Sequence, residues 1–380
     1  MEFGFTEEQE MIRSQAAEFL KNECPIAVVR ELMESEHGYT PELWEKMAAT
    51  GWLGLIFPEE YGGAGLSFIE LTVLLEEMGR ALLPGAFFST VLLGGLIVLE
   101  AANQEQKKRW LTPLTEGRLK ATLALTEPKS SWKAAGVMTV TAERSDGEYV
   151  IKGTKLFVPD AQVADLIICA ARTDSFSVSG HNITLFAIDR NSDGLNIAPL
   201  KTMDQTRRLY DVTFEGVRVP GSHVLGRVGQ AWPAIDRVIN KATIGLCAEM
   251  VGGAQKMLEM CVDYAKQRIQ FGRPIGSFQA IQHKCADMLL MIESARSATY
   301  AAAWAASPER EDAALLASIA KSYTSEAYRF VAGEGIQIHG GMGFTWEHDA
   351  HLYFKRAKAD EFNFGDANYH RERVAQMIGL

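Results

Sequence analysis

The chain has 380 residues, 47% of them hydrophobic and 23% charged, with a formal net charge of −10. That composition suits a large soluble globular protein of one large or two to three smaller domains, and the acidic balance argues against nucleic acid as a partner. The five cysteines form no CxxC pair and are odd in number, which predicts buried thiols in a reducing cytosol and no zinc site. Met1 leads into an acidic, amphipathic stretch, unlike a secretory or transit peptide. The longest apolar run, "FFSTVLLGGLIVLEAA", is too short and glycine-rich to span a bilayer. A cytoplasmic protein with no membrane association is expected.

From Thr6 to about Leu114 apolar residues recur at helical spacing. Phe68, Leu71, Leu74, Leu75 and Met78 form one stripe, with Ser67 as N-cap and Glu70 as its capping-box partner. From Lys120 to Arg227 the texture becomes short, β-branched segments bounded by Gly, Asp or Asn, such as "VMTVTAE", "NITLFAID" and "LYDVTFEGVRV". About eight strands with no helices between them predict an antiparallel sheet or barrel. From Gln230 onward long helical segments with broad apolar stripes predict a four-helix bundle. The expected domains are 1–118 (α-helical), 119–228 (β) and 229–380 (helical bundle), an α+β organisation.

Several motifs have a plain structural reading. "GEGIQIHGGMGF" lacks the third glycine of a dinucleotide fingerprint and follows no strand, so a helix end and turn is the better reading. Its close glycines still let backbone approach a ligand, and the Gln337 amide can bond in two directions. "WEHDAH" does not match HExxH, and His348 and His351, read as three apart on a helix, have no third ligand in register. Asp349, His351, Lys355 and Lys358 are expected on a solvated helical face, with Leu352, Tyr353 and Phe354 on the apolar side. "RIQFGRPIGSFQ" places Arg268 at a helix end beside an exposed Phe271, a pairing that suits a phosphate or purine. "ALTEP" presents Thr126 at a strand edge.

Taken in order, "FPEEYGGAG", "ALTEP", "GTKLFV", "RIQFGRPIGSFQAIQHKCADM" and "QIHGGMGF" closely resemble the acyl-CoA dehydrogenase family over nearly the whole chain. The resemblance implies an acyl-CoA dehydrogenase-like fold, FAD, an acyl-CoA thioester substrate, tetramers built as dimers of dimers and electron-transfer flavoprotein as acceptor. Desaturation of a thioester needs a base for the α proton, hydrogen bonds to the carbonyl and a flavin to take the β hydride. The family's base is a glutamate at one of two places. Here those places hold Ala357 and Ala242. Glu249, seven residues on from Ala242 on the same helical face, is the weak candidate for a relocated base, although a lone carboxylate between Ala248 and Met250 is expected to be structural.

The resemblance also separates two sets of flavin contacts. Where the family continues after Pro128 with small residues and Gly-Ser-Asp, this chain has "KSSWKAAG". Phe157 replaces a tryptophan, and Pro159 replaces a threonine that donates to the flavin. Arg268, Phe271, Gln337, Gly340 and Gly341, which in the family reach the partner subunit's FAD, are all kept. The leading expectation is therefore the non-catalytic partner of a catalytic subunit, in an α2β2 enzyme like those of actinobacterial steroid side-chain breakdown. A self-sufficient homotetramer and a non-enzymatic acyl-CoA-binding scaffold are the alternatives.

Overall fold

A computed structural model describes residues 4–128, 132–133, 136, 139–173, 182–307 and 310–380. In chain order the helices are α1 (Glu7–Glu23), α2 (Ile26–Glu34), α3 (Pro41–Ala49), α4 (Phe68–Arg80), α5 (Leu96–Ala101), α6 (Gln104–Thr115), α7 (Trp232–Gln267), α8 (Gln279–Ala305), α9 (Ala313–His339), α10 (Ala350–Phe362) and α11 (Ala367–Met377). The strands are β1 (Ala121–Ala124), β2 (Thr141–Ser145), β3 (Glu148–Pro159), β4 (Leu166–Arg172), β5 (Ile183–Asp189), β6 (Leu195–Pro199), β7 (Leu209–Pro220), β8 (Val224–Leu225), β9 (Ile269–Gln270) and β10 (Arg273–Pro274). None of the described helices is long and apolar enough to cross a membrane.

The described residues form two compact units. One comprises Met1–Glu31, Ser67–Leu83 and Thr243–Leu380; the other comprises Leu32–Leu66 and Pro84–Ala242. The division falls inside α7, at Ala242.

The second unit is organised by an eight-stranded sheet in the order β6-β7-β3-β2-β4-β5-β8, with β1 added alongside β4. Most pairs are antiparallel, but β1 runs parallel to β4, from Ala121 opposite Leu166 to Ala124 opposite Cys169. The wholly antiparallel sheet expected from sequence is thus corrected to a mixed one. Parallel neighbours require a long crossover, usually a helix. Here the β2–β3 hairpin does that work, so no helical segment betrays it. A continuous core of Val140, Ile151, Ile167, Phe186, Val212 and Phe214 fills one side of the sheet.

In the first unit α8, α10 and α11 pack on α9, and α1 on α4, while α7 meets α9 where Gly335 faces Met257 and Gly253 faces Tyr328. Ser67 caps α4 as expected: its hydroxyl accepts the Ile69 N–H, and Glu70 accepts the Ser67 N–H at 2.9 Å. Two glycines let α4 and α7 cross at backbone contact. A Cβ on Gly252 would lie 1.8 Å from the Glu76 carbonyl oxygen, and one on Gly79 would lie 2.0 Å from that of Glu249. Glu76 itself is buried and paired, accepting from Arg296 at 3.0 Å and from the Tyr300 hydroxyl at 2.9 Å.

Of the four residues expected on a solvated face around α10, Asp349, Lys355 and Lys358 are half-buried and only His351 is buried. The helix begins only at Ala350, so His348 lies in the preceding turn and the two histidines do not share a helix. Arg356 and Asp360 are 2% and 1% exposed, and His351 is also buried. Lys321, fully buried on α9, donates to the Asp360, Glu361 and Gly365 carbonyls at the end of α10. Orphan carbonyls at a helix C-terminus form an anionic socket, which is how a buried ammonium is tolerated there. Among the described residues no group of three or more side chains could hold a metal ion.

Candidate functional site

In the β unit, "ALTEP" and "GTKLFV" are joined by a buried ion pair that the sequence does not announce. Lys155 Nζ lies 2.6 Å from Glu127 Oε1 and also donates to the Leu125 carbonyl. Glu127 further accepts from the Thr139 N–H and hydroxyl, both at 2.6 Å. Burial alone raises the Glu127 carboxyl, but Lys155 and Thr139 outweigh it and hold it below its ordinary value. The pair fixes the loop that presents Thr126, whose carbonyl accepts the Leu156 N–H at 2.8 Å. The Thr126 hydroxyl has no partner among the described residues.

Just beyond Lys155 a register shift interrupts the β3–β7 ladder. It turns Phe157 into the left-handed region (φ 55°) and leaves it 53% exposed. Pro159 follows, pairing with Leu209 but offering no N–H. Trp132 is half-buried, whereas residues 129–131 and 134–135 of "KSSWKAAG" lie outside the described residues.

In the bundle unit Arg268 directly follows α7, and its N–H is held by the Tyr264 carbonyl at 2.8 Å. A β9–β10 hairpin comes next, with Phe271 and Gly272 both left-handed at its tip and Phe271 92% exposed. Gln337 lies on the exposed side of the last turn of α9, which ends in Gly340 (φ 60°); the helix therefore outruns Gly333 and Gly335, taken as its end in the sequence. Gly340 and Gly341 have open space where a side chain would stand. Neither the Arg268 guanidinium nor the Gln337 amide has a side-chain partner among the described residues. The ends of α7 and α9 are brought together by packing of Tyr264 on His339, at 4.6 Å between ring centroids.

The remaining sequence candidates lie in helical cores. Ala242 and Ala357 are both fully buried. Glu249 is 5% exposed, at the crossing where its carbonyl abuts Gly79.

The acyl-CoA dehydrogenase N-terminal, middle and C-terminal domain families match residues 6–118, 122–217 and 229–379. The chain belongs to the acyl-CoA dehydrogenase family. It is 34% identical over 356 residues to acyl-CoA dehydrogenase IpdE2 of Mycobacterium tuberculosis, covering 92% of this chain and 91% of that one. Butyryl-CoA dehydrogenase from Megasphaera elsdenii superposes with a TM-score of 0.92 at 28% identity, over 100% of both chains. A chain of the ChsE4-ChsE5 complex from M. tuberculosis gives a TM-score of 0.89 at 26% identity, over 100% of this chain and 99% of that one. The family's chemistry is oxidation of acyl-CoA thioesters, and its cofactor is FAD.

The residues present fit that cofactor in one unit and not in the other. An unpartnered arginine, a free amide and two glycines with open backbone suit a pyrophosphate and the polar edges of an adenine nucleotide. At the end of β3, Pro159 offers no N–H and Phe157 stands in a left-handed bulge.

Proposed function

We propose that this chain is the non-catalytic subunit of a heteromeric, FAD-dependent acyl-CoA dehydrogenase. The observation that carries the reading is an asymmetry: the residues that match the family's contacts to a neighbouring subunit's cofactor are kept and exposed, while the positions that match its base hold buried Ala242 and Ala357 and the position that matches its threonine donor is Pro159. A bound FAD supplies the two-electron acceptor for the β hydride. This chain's part is to bind and orient: Arg268 neutralises phosphate charge, Gln337 hydrogen-bonds the adenine or pyrophosphate part, and the Gly340–Gly341 turn admits close approach. The α proton is left to a carboxylate of the partner, because alanine holds no proton.

The assembly is an α2β2 heterotetramer passing electrons to electron-transfer flavoprotein, and its substrate is a bulky polycyclic thioester such as a steroid side-chain CoA. The similarity to a chain of a two-component complex supports the heteromeric form. Co-expression with neighbouring dehydrogenase-like chains should yield a yellow complex by size exclusion. In that complex Arg268→Ala should lower FAD content at least tenfold, consistent with the loss of a charge-assisted, bidentate contact. Unchanged FAD stoichiometry would sink the trans-site reading.

A further inference from the structure

We propose that Tyr264, His339 and His348 form a packed positioning set that holds both arms of the cofactor contact and releases them in acid; this rests on the trans-site reading above. His339 is the last residue of α9, and Gly340 of the contact turn follows it directly. Its ring lies 4.6 Å from Tyr264 and 4.4 Å from His348, between centroids. Tyr264 carries the other arm, since its carbonyl holds the Arg268 N–H. A row of three tilted rings therefore ties the ends of α7 and α9 to the turn that enters α10.

The hydrogen bonds fix the protonation that this arrangement needs. His339 Nδ1 lies 2.7 Å from the Gly335 carbonyl and so donates to it. His348 Nδ1 accepts the Ala350 N–H at 3.1 Å. A proton on His339 would place a charge on a side chain that is only 3% exposed. Burial, and then His348, hold the His339 pKa below its ordinary value, against the Gly335 and Met260 carbonyls that favour charge. With a depressed folded value, the stabilisation is complete above about pH 6.5 and is lost as pH falls through the folded value.

Other charged and titratable groups surround these rings, among them Cys285 of α8 and Glu347 beside His348. Cys261 of α7 lies 4.0 Å from His339 Nδ1, and burial raises its thiol. Glu334 of α9 is paired with Lys284 of α8. Arg30 of α2 holds the His348 carbonyl at 3.2 Å and Asp349 at 2.7 Å. On α10, His351 packs on Trp346, and Lys355 sits over the same ring.

The test is FAD retention by the assembled complex, followed by flavin fluorescence on dilution at pH 7.5 and 5.5. The wild-type complex should bind FAD at least fivefold more weakly at pH 5.5. His339→Phe keeps an aromatic ring but cannot take a proton, and should bind with little change between the two pH values. His339→Leu removes the ring and should bind at least tenfold more weakly at both, with helical content unchanged by circular dichroism. A His339→Phe complex with the wild-type pH dependence, or a His339→Leu complex with wild-type affinity, overturns the proposal. If those results come with Arg268→Ala still depleting FAD, only this inference fails; if Arg268→Ala has no effect either, the trans-site reading fails with it.

Discussion

Lys155→Met should destabilise the folded chain by about 3–5 kcal/mol, the usual cost of stripping one partner from a buried ion pair. Both side chains are essentially inaccessible, at 0% and 1% exposure, so the loss is not softened by solvent. Two Thr139 donors remain on Glu127, but the counter-charge is gone. The double variant Lys155→Met/Glu127→Gln removes the orphaned charge and should recover most of the deficit. In the wild type the Glu127 pKa is depressed, so its contribution is complete above about pH 4.3 and is lost as pH falls through the folded value. The Lys155→Met deficit should accordingly be full at neutral pH and narrow in acid. Urea denaturation at pH 7 and pH 4 measures both; an unchanged midpoint at pH 7 contradicts the assignment.

Gly252→Ala should also be strongly destabilising, against the grain of helix propensity. Alanine in a helix interior is favoured over glycine by about 1 kcal/mol. The added carbon, however, meets the Glu76 carbonyl oxygen at 1.8 Å, with Arg80 N at 2.9 Å. These are backbone atoms of α4, so nothing flexible can swing aside. Overpacking of that kind costs about 1–3 kcal/mol and sometimes more, and shifting α4 also disturbs the pairing of Glu76 with Arg296 and Tyr300. The clash outweighs propensity. Gly333→Ala is the internal comparison: it lies within α9 with open space at its Cβ position, so propensity alone should act, and the variant should gain up to about 1 kcal/mol. Thermal or urea midpoints of the two variants should move in opposite directions.

Local features were the legible part of this molecule. The Ser67 capping box, the helix end at Arg268 and the Phe271-Gly272 turn are written in neighbouring residues and are found where their chemistry places them. So is the helical–β–helical order, because periodicity is a local signal. What was not legible depends on pairing across the chain. Glu127 and Lys155 are 28 residues apart, and neither looks buried in sequence. The parallel β1–β4 pair was hidden because a hairpin provides its crossover. The burial of Lys321 was hidden in the same way, because the carbonyl of Asp360 that holds it at the end of α10 is 39 residues away. The packing around His339 was invisible for the same reason, since Tyr264 and His348 are distant in sequence from the helix end they steady.

The most direct measurement is FAD per polypeptide, from flavin absorbance, for this chain purified alone and for the complex formed with its co-expressed partner. The half-site account predicts a nearly colourless chain alone, and a yellow, active complex in which Arg268→Ala depletes the flavin. A homotetramer of this chain alone, carrying one FAD per subunit and desaturating an acyl-CoA, would contradict it.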